Sequence, residues 1–482
     1  VNYELRYKGA APVSVCLAGA GGFGRSFLVQ SRSIPLIAVR IVVERDASIA
    51  VATLKAVGLE ESEIALCASP AEAAAAWERG NMVVVDDMAH VAALPYQVLV
   101  EATGHPEAGA RHAHMAVSAG RHVALVSKEV DSVIGPGLSA MAQSNGCVAT
   151  PVDGDQPSLL ISLITWARVL GLEIIGAGKS SEYDFVYDPD AKELTCNGRV
   201  ISLPGMAELM SGPDVTLLDR VARRAQVASM INQRAVPDLC ELSVVANATG
   251  LQPDRADFHS PIARIQEVPS LFRPAEEGGL FANGGVLDVF HCLRLPTELS
   301  LAGGVFITVR CNDAETWKML GEKGHTLAPD GRTAMIATPR HLLGVEAATT
   351  ILDAAILNET NGGVKPAHHV DLVACATADL PAGTVLSMGG HHHTIDNVAA
   401  RILPARRLDE DAPAPFYLAA NRRLRQAVRA GANITMQDLE IPEEDELLGL
   451  RRWQDGHFFG LSDAPARNEG LEVHQQREEK VR

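Results

Sequence analysis

A glycine-rich turn set between an apolar strand and an apolar helix constrains this chain more than any other feature. Residues 13–31 read VSVCLAGAGGFGRSFLVQS. Gly19, Gly21 and Gly24 fit G-x-G-x-x-G directly after a strand pattern and at the opening of a helix, the setting that gives the motif meaning. There the first glycine makes the tight turn, the second lets the backbone approach a pyrophosphate, and the third allows close helix–sheet packing. The helix N-terminus would face the phosphates, with Gly22, Phe23 and Arg25 in the same turn. Twenty residues past Gly24, VVERD ends the second strand and places Glu44 where a carboxylate takes the ribose hydroxyls. Arg45 and Arg25 would instead pair with a 2′-phosphate. NADP(H) is the favoured coenzyme on this reading, and NAD(H) stays open.

The strand–helix alternation continues through the first third. Strand patterns begin at Val13, Leu36, Asn81, Val98, His122 and Cys147, with helix-like runs such as PEAGARHAHMAVSAG between them. Short apolar strands alternating with helices specify a parallel sheet covered on both faces. The expected class is α/β: an N-terminal Rossmann domain with a doubly wound parallel sheet over residues 1–150, then an α+β catalytic and oligomerisation domain over 151–364. A small β-rich domain over 365–450 and a charged, mobile tail over 451–482 complete the chain. One long helix over 340–360, stopped by Asn361, Gly362 and Gly363, should return to the first domain.

Composition removes several functional classes. A formal charge of −17 gives no global support for nucleic-acid binding. The eight cysteines are scattered without a C-x-x-C pair, so they are expected to be reduced thiols. The longest apolar stretch, LLISLITWARVLGLEIIGAG, carries Arg168 and Glu173 and reads as buried helix and strand rather than a membrane span. The opening residues are polar up to Pro12, so no signal peptide and a cytoplasmic location are expected.

The segment VLVEATGHPEAGARHAHMAVSAGRHVALVSKEVD resembles the later strands of the homoserine dehydrogenase type of nucleotide domain. The resemblance implies that Thr103 and Gly104 contact the cofactor and that Lys128, at the edge of the active site, serves both cofactor binding and catalysis; the alternative for Lys128 is a solvated strand-end residue. Glu208, Asp214 and Asp219 in ELMSGPDVTLLDRVAR match that family's substrate-binding spacing, but Arg223 stands where lysine belongs. Arginine cannot easily shuttle a proton, although it can clamp a phosphate or carboxylate. The same residues also read as an exposed helix with an Asp219–Arg223 ion pair. Further on, ADLPAGTVLSMGG and RRLRQAVRAGANITMQDLE resemble the halves of a SAF domain. A homoserine dehydrogenase-like body with a SAF-like end resembles the deoxyxylulose 5-phosphate reductoisomerase-like family. That likeness implies a small phosphorylated sugar substrate, Mg2+ or Mn2+, and a homodimer or homotetramer.

Two stretches offer side chains for such chemistry. PVDGDQPS contains Asp153 and Asp155, and GAGKSSEYDF contains Lys179, Ser180, Ser181, Glu182 and Asp184. Lys179 with the two hydroxyls would cradle a phosphate, while Asp155 and Glu182 would offer hard oxygen ligands to a divalent ion. Lys128, Lys179, Glu182, Asp219 and Arg223 are the catalytic candidates, and Asn247 joins Lys179, Ser180, Ser181, Glu208 and Asp214 as a substrate contact. Asp-Gly-Asp also reads as a plain turn. The histidines at 367–369 and 389–394 read as loops. Besides reductoisomerisation, two readings remain: a dehydrogenase of homoserine or a small polyhydroxy acid, and a non-catalytic nucleotide-binding protein.

Overall fold

The computed structural model describes residues 2–211, 215–390 and 392–460. Its first unit is a seven-stranded sheet of β1 (Val13–Ala18), β2 (Ile37–Val43), β3 (Ile64–Leu66), β4 (Met82–Val85), β5 (Val98–Glu101), β6 (His122–Leu125) and β7 (Ala149–Pro151). The order is β3-β4-β2-β1-β5-β6-β7 and every pair is parallel. Val15 and Leu17 point into one core with Phe27 and Leu28, whereas Cys16 and Ala18 point into the other with Ala110 and Ala113. That alternation is the two-residue period of a strand buried on both faces. The chain winds away from β1 in opposite directions, so a crevice opens between the carboxyl ends of β1 and β5, where open α/β sheets take ligands.

Of the seven strands only β3 escapes the sequence pattern. It is a three-residue edge strand whose Leu66 is exposed, so it has neither the length nor the alternation that marks the others.

The second unit is a nine-stranded mixed sheet formed by β8 (Ile174–Ser180), β9 (Phe185–Asp188), β10 (Glu193–Cys196), β11 (Arg199–Ser202), β12 (Ile262–Ala263), β13 (Val286–Arg294), β14 (Val305–Arg310), β15 (Thr326–Leu327) and β16 (Thr333–Thr338). Strand β8 runs parallel to β13 and antiparallel to β14. Helices Gln156–Val169 and Val236–Thr249 pack on each other and against this sheet.

The expected long helix over 340–360 is broken. A 3-10 turn at Leu343–Val345 precedes a short helix, Ala348–Leu352, and one π-helical turn, Asp353–Leu357, which Asn358 ends at φ +54°. Leu343 holds φ +51°, which no right-handed helix accommodates, and the next residue, Gly344, packs so closely on the first unit that a Cβ would stand 2.8 Å from the Phe27 nitrogen and 3.0 Å from the Phe23 oxygen. The segment does return to the first unit, burying Ile351 and Leu352 beside Phe27.

The third unit has β17 (Val370–Ala376), β18 (Met388–Gly389), β19 (Thr394–Ile395) and β20 (Val398–Pro404) in antiparallel order β17-β20-β19-β18, with a separate pair of short strands. The tail expected over 451–482 is corrected at its start, where Glu446–Phe459 is a helix N-capped by Asp445; residues 461–482 lie outside the described residues. It packs against helices Pro106–Ser118 and Lys128–Ser144 of the first unit. Two of its charged residues are internal: Arg451 is fully buried between Asp371 and, on the same helix, Asp455, each at 2.8 Å. Gln454 inserts its amide into the Lys128–Ser144 helix next to Pro136, accepting from Gly137 N at 2.7 Å and donating to Val133 O at 3.1 Å. Among the described residues no helix is long and apolar enough to cross a membrane. All eight cysteines are free.

Candidate active site

The crevice after β1 has the shape the glycine motif requires. Gly19 adopts φ +96°, and a Cβ there would lie 2.5 Å from Ala102 O, so the turns after β1 and β5 touch only because this residue is glycine. A Cβ on Gly24 would overlap Gly19 O. At Gly21 and Gly22, by contrast, nothing lies within 4 Å. That space opens in front of the N-terminus of helix Gly22–Ser31, whose first turn has no acidic residue. A pyrophosphate fits such a cradle, since unpaired amides and the helix dipole both favour an anion. Phe23 is half-buried against the first core, and Arg25 and Arg45 are exposed. Glu44, at the end of β2, accepts from Ala20 N at 2.9 Å, which places its carboxylate on the glycine turn. On the far side of the crevice, Thr103 donates to Glu101 at 2.6 Å and Gly104 N donates to Ser127 Oγ at 2.9 Å.

Beyond β6 lies a chain of alternating charges. Lys128 opens helix Lys128–Ser144, and its ammonium meets Asp155 at 2.8 Å and Glu241 at 3.3 Å. Glu241 also meets Lys179 of β8, which pairs with Asp238 at 2.9 Å and donates to Gln156. Ser181 donates to Asp238 at 2.7 Å, and His341 Nε2 faces Asp155 at 3.6 Å. Asp155 caps helix Gln156–Val169, while Asp238 sits in the first turn of Val236–Thr249. The positive ends of these helices therefore support a cluster with two ammoniums and three carboxylates.

Hydrogen-bond arithmetic separates the two lysines. An ammonium has three protons to donate. Lys179 has three acceptors, Gln156, Asp238 and Glu241, and its side chain is 2% exposed, so none is left for a ligand. Lys128 has two, Asp155 and Glu241, and its side chain is 26% exposed, so one proton remains to face the cleft. Burial opposes the charge on both lysines, but their carboxylates outweigh it and raise both pKa values above the ordinary lysine range. Burial likewise opposes the charge of Asp155, yet Lys128 and His341 bring its pKa below the usual carboxylate value.

Several expected roles change. Lys179, Ser180 and Ser181 are brought to the site but are buried, and Lys179 and Ser181 are committed to protein acceptors, so they do not form an open phosphate cradle. Glu182 faces His392 at 3.5 Å while Asp155 holds Lys128 and His341, so the pair does not fit a shared metal site. Asp153 accepts from Ser158 and Thr349 and fastens the 349 segment, and Asp184 pairs with Arg294. Glu208, Asp219 and Arg223 are exposed. Asp219 instead completes the N-terminus of helix Leu217–Val227 with Thr216, whose hydroxyl accepts from Asp219 N at 3.2 Å and donates to its carboxylate at 2.8 Å. Asp214 lies outside the described residues. Asn247 is buried, accepting from His369 N and Val370 N and donating to Val370 O, so it is a clamp between units rather than a substrate contact.

Asp238, Glu241, Gln156 and His341 were not singled out by the sequence. The first two sit at i,i+3 on a helix with no exposed face over most of its length, so nothing marked them as a polar pair. Among the described residues, one group of metal-ligand types is close together, Asp254, His259 and Asp288. Asp288 is spent there on the backbone N–H groups of His259, Ser260 and Val289.

The fold and crevice define an α/β protein with a Rossmann-like parallel sheet and an ionic cluster at the edge of its second unit. A family model described as oxidoreductase DRL, catalytic domain, matches residues 154–347, less than half of the chain, and supports an oxidoreductase. That span contains Asp155, Lys179, Asp238, Glu241 and His341. No curated protein matches. Similar solved structures include GenD2 from gentamicin A biosynthesis in complex with NAD, at 15% identity over 73% of this chain and 88% of that one, TM-score 0.34. Another is a putative oxidoreductase from Klebsiella pneumoniae, at 16% identity over 73% and 87%, TM-score 0.31. A DOX-P reductoisomerase with fosmidomycin and magnesium is 17% identical over 35% of this chain and 46% of that one, TM-score 0.27. The chain thus spans about half the length of the reductoisomerase it matches. Superpositions at this level carry no weight for activity.

Proposed function

We propose that this protein is an NAD(P)(H)-dependent oxidoreductase that reduces a carbonyl in a small polyoxygenated substrate. NADP(H) is the coenzyme favoured and 1-deoxy-D-xylulose 5-phosphate the first substrate to test. The observation that carries the reading is the position of Lys128. It leads the helix after β6, two strands from the glycine cradle, and its partly exposed ammonium has one proton left uncommitted. Gly21, Gly22 and the helix N-terminus would hold the pyrophosphate, Glu44 the adenosine ribose, and Thr103 and Gly104 the nicotinamide half. Arg25 and Arg45 are exposed at the same edge, open to a 2′-phosphate. When bound, the coenzyme supplies a hydride. Lys128, kept charged by Asp155 and Glu241, would orient and polarise a substrate oxygen, and Lys179 would fix Glu241 from behind. No step is routed through a metal ion, because Asp155 and Glu182 are engaged elsewhere.

The test is the loss of NADPH absorbance on adding 1-deoxy-D-xylulose 5-phosphate with Mg2+. Turnover abolished by Lys128→Met supports the reading; the same rate in that variant refutes the role of Lys128. A second reading, reduction or oxidation of an unphosphorylated polyhydroxy acid or of homoserine, is favoured by one observation. The cluster has an excess negative charge and Lys179 has no proton left for a phosphate. Turnover of such a compound without turnover of the sugar phosphate would select it. Association into a homodimer or homotetramer belongs to the same proposal and is read by sedimentation.

A further inference from the structure

The third unit reaches into the crevice through the turn between β18 and β19. His393 places its ring directly on the Thr103–Gly104 turn, so that a Cβ on Gly104 would overlap His393 Cε1. Its Nδ1 meets the Glu129 carboxylate at 2.6 Å, and Glu129 is the residue after Lys128. The neighbouring His392 reaches the other wall, with Glu182 at 3.5 Å and the Tyr183 hydroxyl at 3.3 Å. His393 holds φ +47°, a left-handed conformation that non-glycine residues seldom adopt and that persists where surrounding contacts fix it.

The topology says which part of a dinucleotide would lie there. Glu44 follows β2 on one side of β1, whereas Gly104 follows β5 and Lys128 follows β6 on the other. A ligand whose ribose is held at Glu44 and whose phosphates lie at Gly21 must put its second nucleoside over Gly104. Resting on the dinucleotide reading above, we propose that His393 is a cofactor-contacting residue that walls the nicotinamide half of the crevice, with Glu129 as the group that positions its ring. The C-terminal unit is then part of the binding site and not an appendage to it.

Calorimetry on the full-length protein with two probes tests this. NADPH carries the nicotinamide; 2′-phospho-ADP-ribose has the same adenosine, 2′-phosphate and pyrophosphate without it. His393→Asn keeps a residue that tolerates positive φ but removes the imidazole. The expected result is a loss of NADPH affinity of about three- to tenfold, the size of one aromatic contact, with 2′-phospho-ADP-ribose unchanged within twofold. Equal weakening of both probes, or no change in either, overturns the proposal. Wild-type protein that binds 2′-phospho-ADP-ribose as tightly as NADPH also overturns it, while leaving the dinucleotide reading standing. Wild-type protein that binds neither of these probes, nor NADH and ADP-ribose, the same pair without the 2′-phosphate, removes both; if only the latter pair binds, the comparison is made with it. Should His393→Asn melt early, His393→Gly, which also accepts φ +47°, carries the same comparison.

Discussion

Replacing Glu101 with glutamine should make the protein relatively more stable as pH rises from 5 to 8. Glu101 ends β5 with no solvent exposure; Thr103 donates to one of its oxygens, and the other, Oε2, has no partner. Burial is the main cause that pushes its pKa up to about 7 from an ordinary 4.5, against the nearby Ser127 hydroxyl and the Thr103 hydrogen bonds, which favour the charged form. A carboxyl whose native pKa is raised stabilises the fold fully below its unfolded value, and loses that contribution as pH climbs to the native value. At 1.36 kcal/mol per unit the wild type should lose about 3 kcal/mol from this residue between pH 4.5 and 7, and little more above that. Glutamine cannot ionise and should lose none of it. Paired urea titrations of the two proteins at pH 5, 6, 7 and 8, read through exchange protection of the Val98–Val100 amides, measure the difference locally. Asp131, buried and also raised to about 7, is present in both proteins and cancels. A wild-type-minus-variant difference that stays constant within about 1 kcal/mol across the series would refute the argument.

Gly21→Ala should leave the melting temperature unchanged, because nothing lies within 4 Å, yet weaken NADPH binding at least tenfold in calorimetry by filling the cradle. Gly24→Ala, whose Cβ overlaps Gly19 O, should lose about 1–3 kcal/mol of stability as well as binding. Lys128→Met should lower kcat/KM by about a hundredfold or more with modest change in melting, whereas Lys179→Met should cost about 3–5 kcal/mol by leaving Asp238 and Glu241 without their shared buried cation. Asn247→Ala should cost about 2–4 kcal/mol in urea denaturation, since the His369 and Val370 amides lose their acceptor, with KM unaltered.

The first unit was legible because its signals are local. Gly19, Gly21 and Gly24 act within one turn, and the strand periods that built the sheet need only a handful of neighbouring residues. Lys128 came instead from a resemblance, and Asp155 was picked out for a metal-ligand role that its pairing with Lys128 and His341 does not support. Glu241 was not found, because its partners are 113 and 62 residues away and its own helix buries nearly every side chain. Asp219 misled in the opposite way, since a Thr-x-x-Asp helix start and a catalytic spacing look alike until exposure is known. The charged run around Arg451 resembled a tail because its counterions, above all Asp371, belong to a distant strand.

The insertion of Gln454 between Val133 O and Gly137 N means that a hydrogen bond the Lys128–Ser144 helix would make with itself is instead completed by the far end of the chain. The helix that Lys128 opens therefore completes its hydrogen bonding only once the Glu446–Phe459 helix has docked. Synthesis delivers residues 446–459 after the first unit, so a nascent chain can complete its parallel sheet before that helix is complete. Truncation just before residue 446 would hold the protein at that earlier stage.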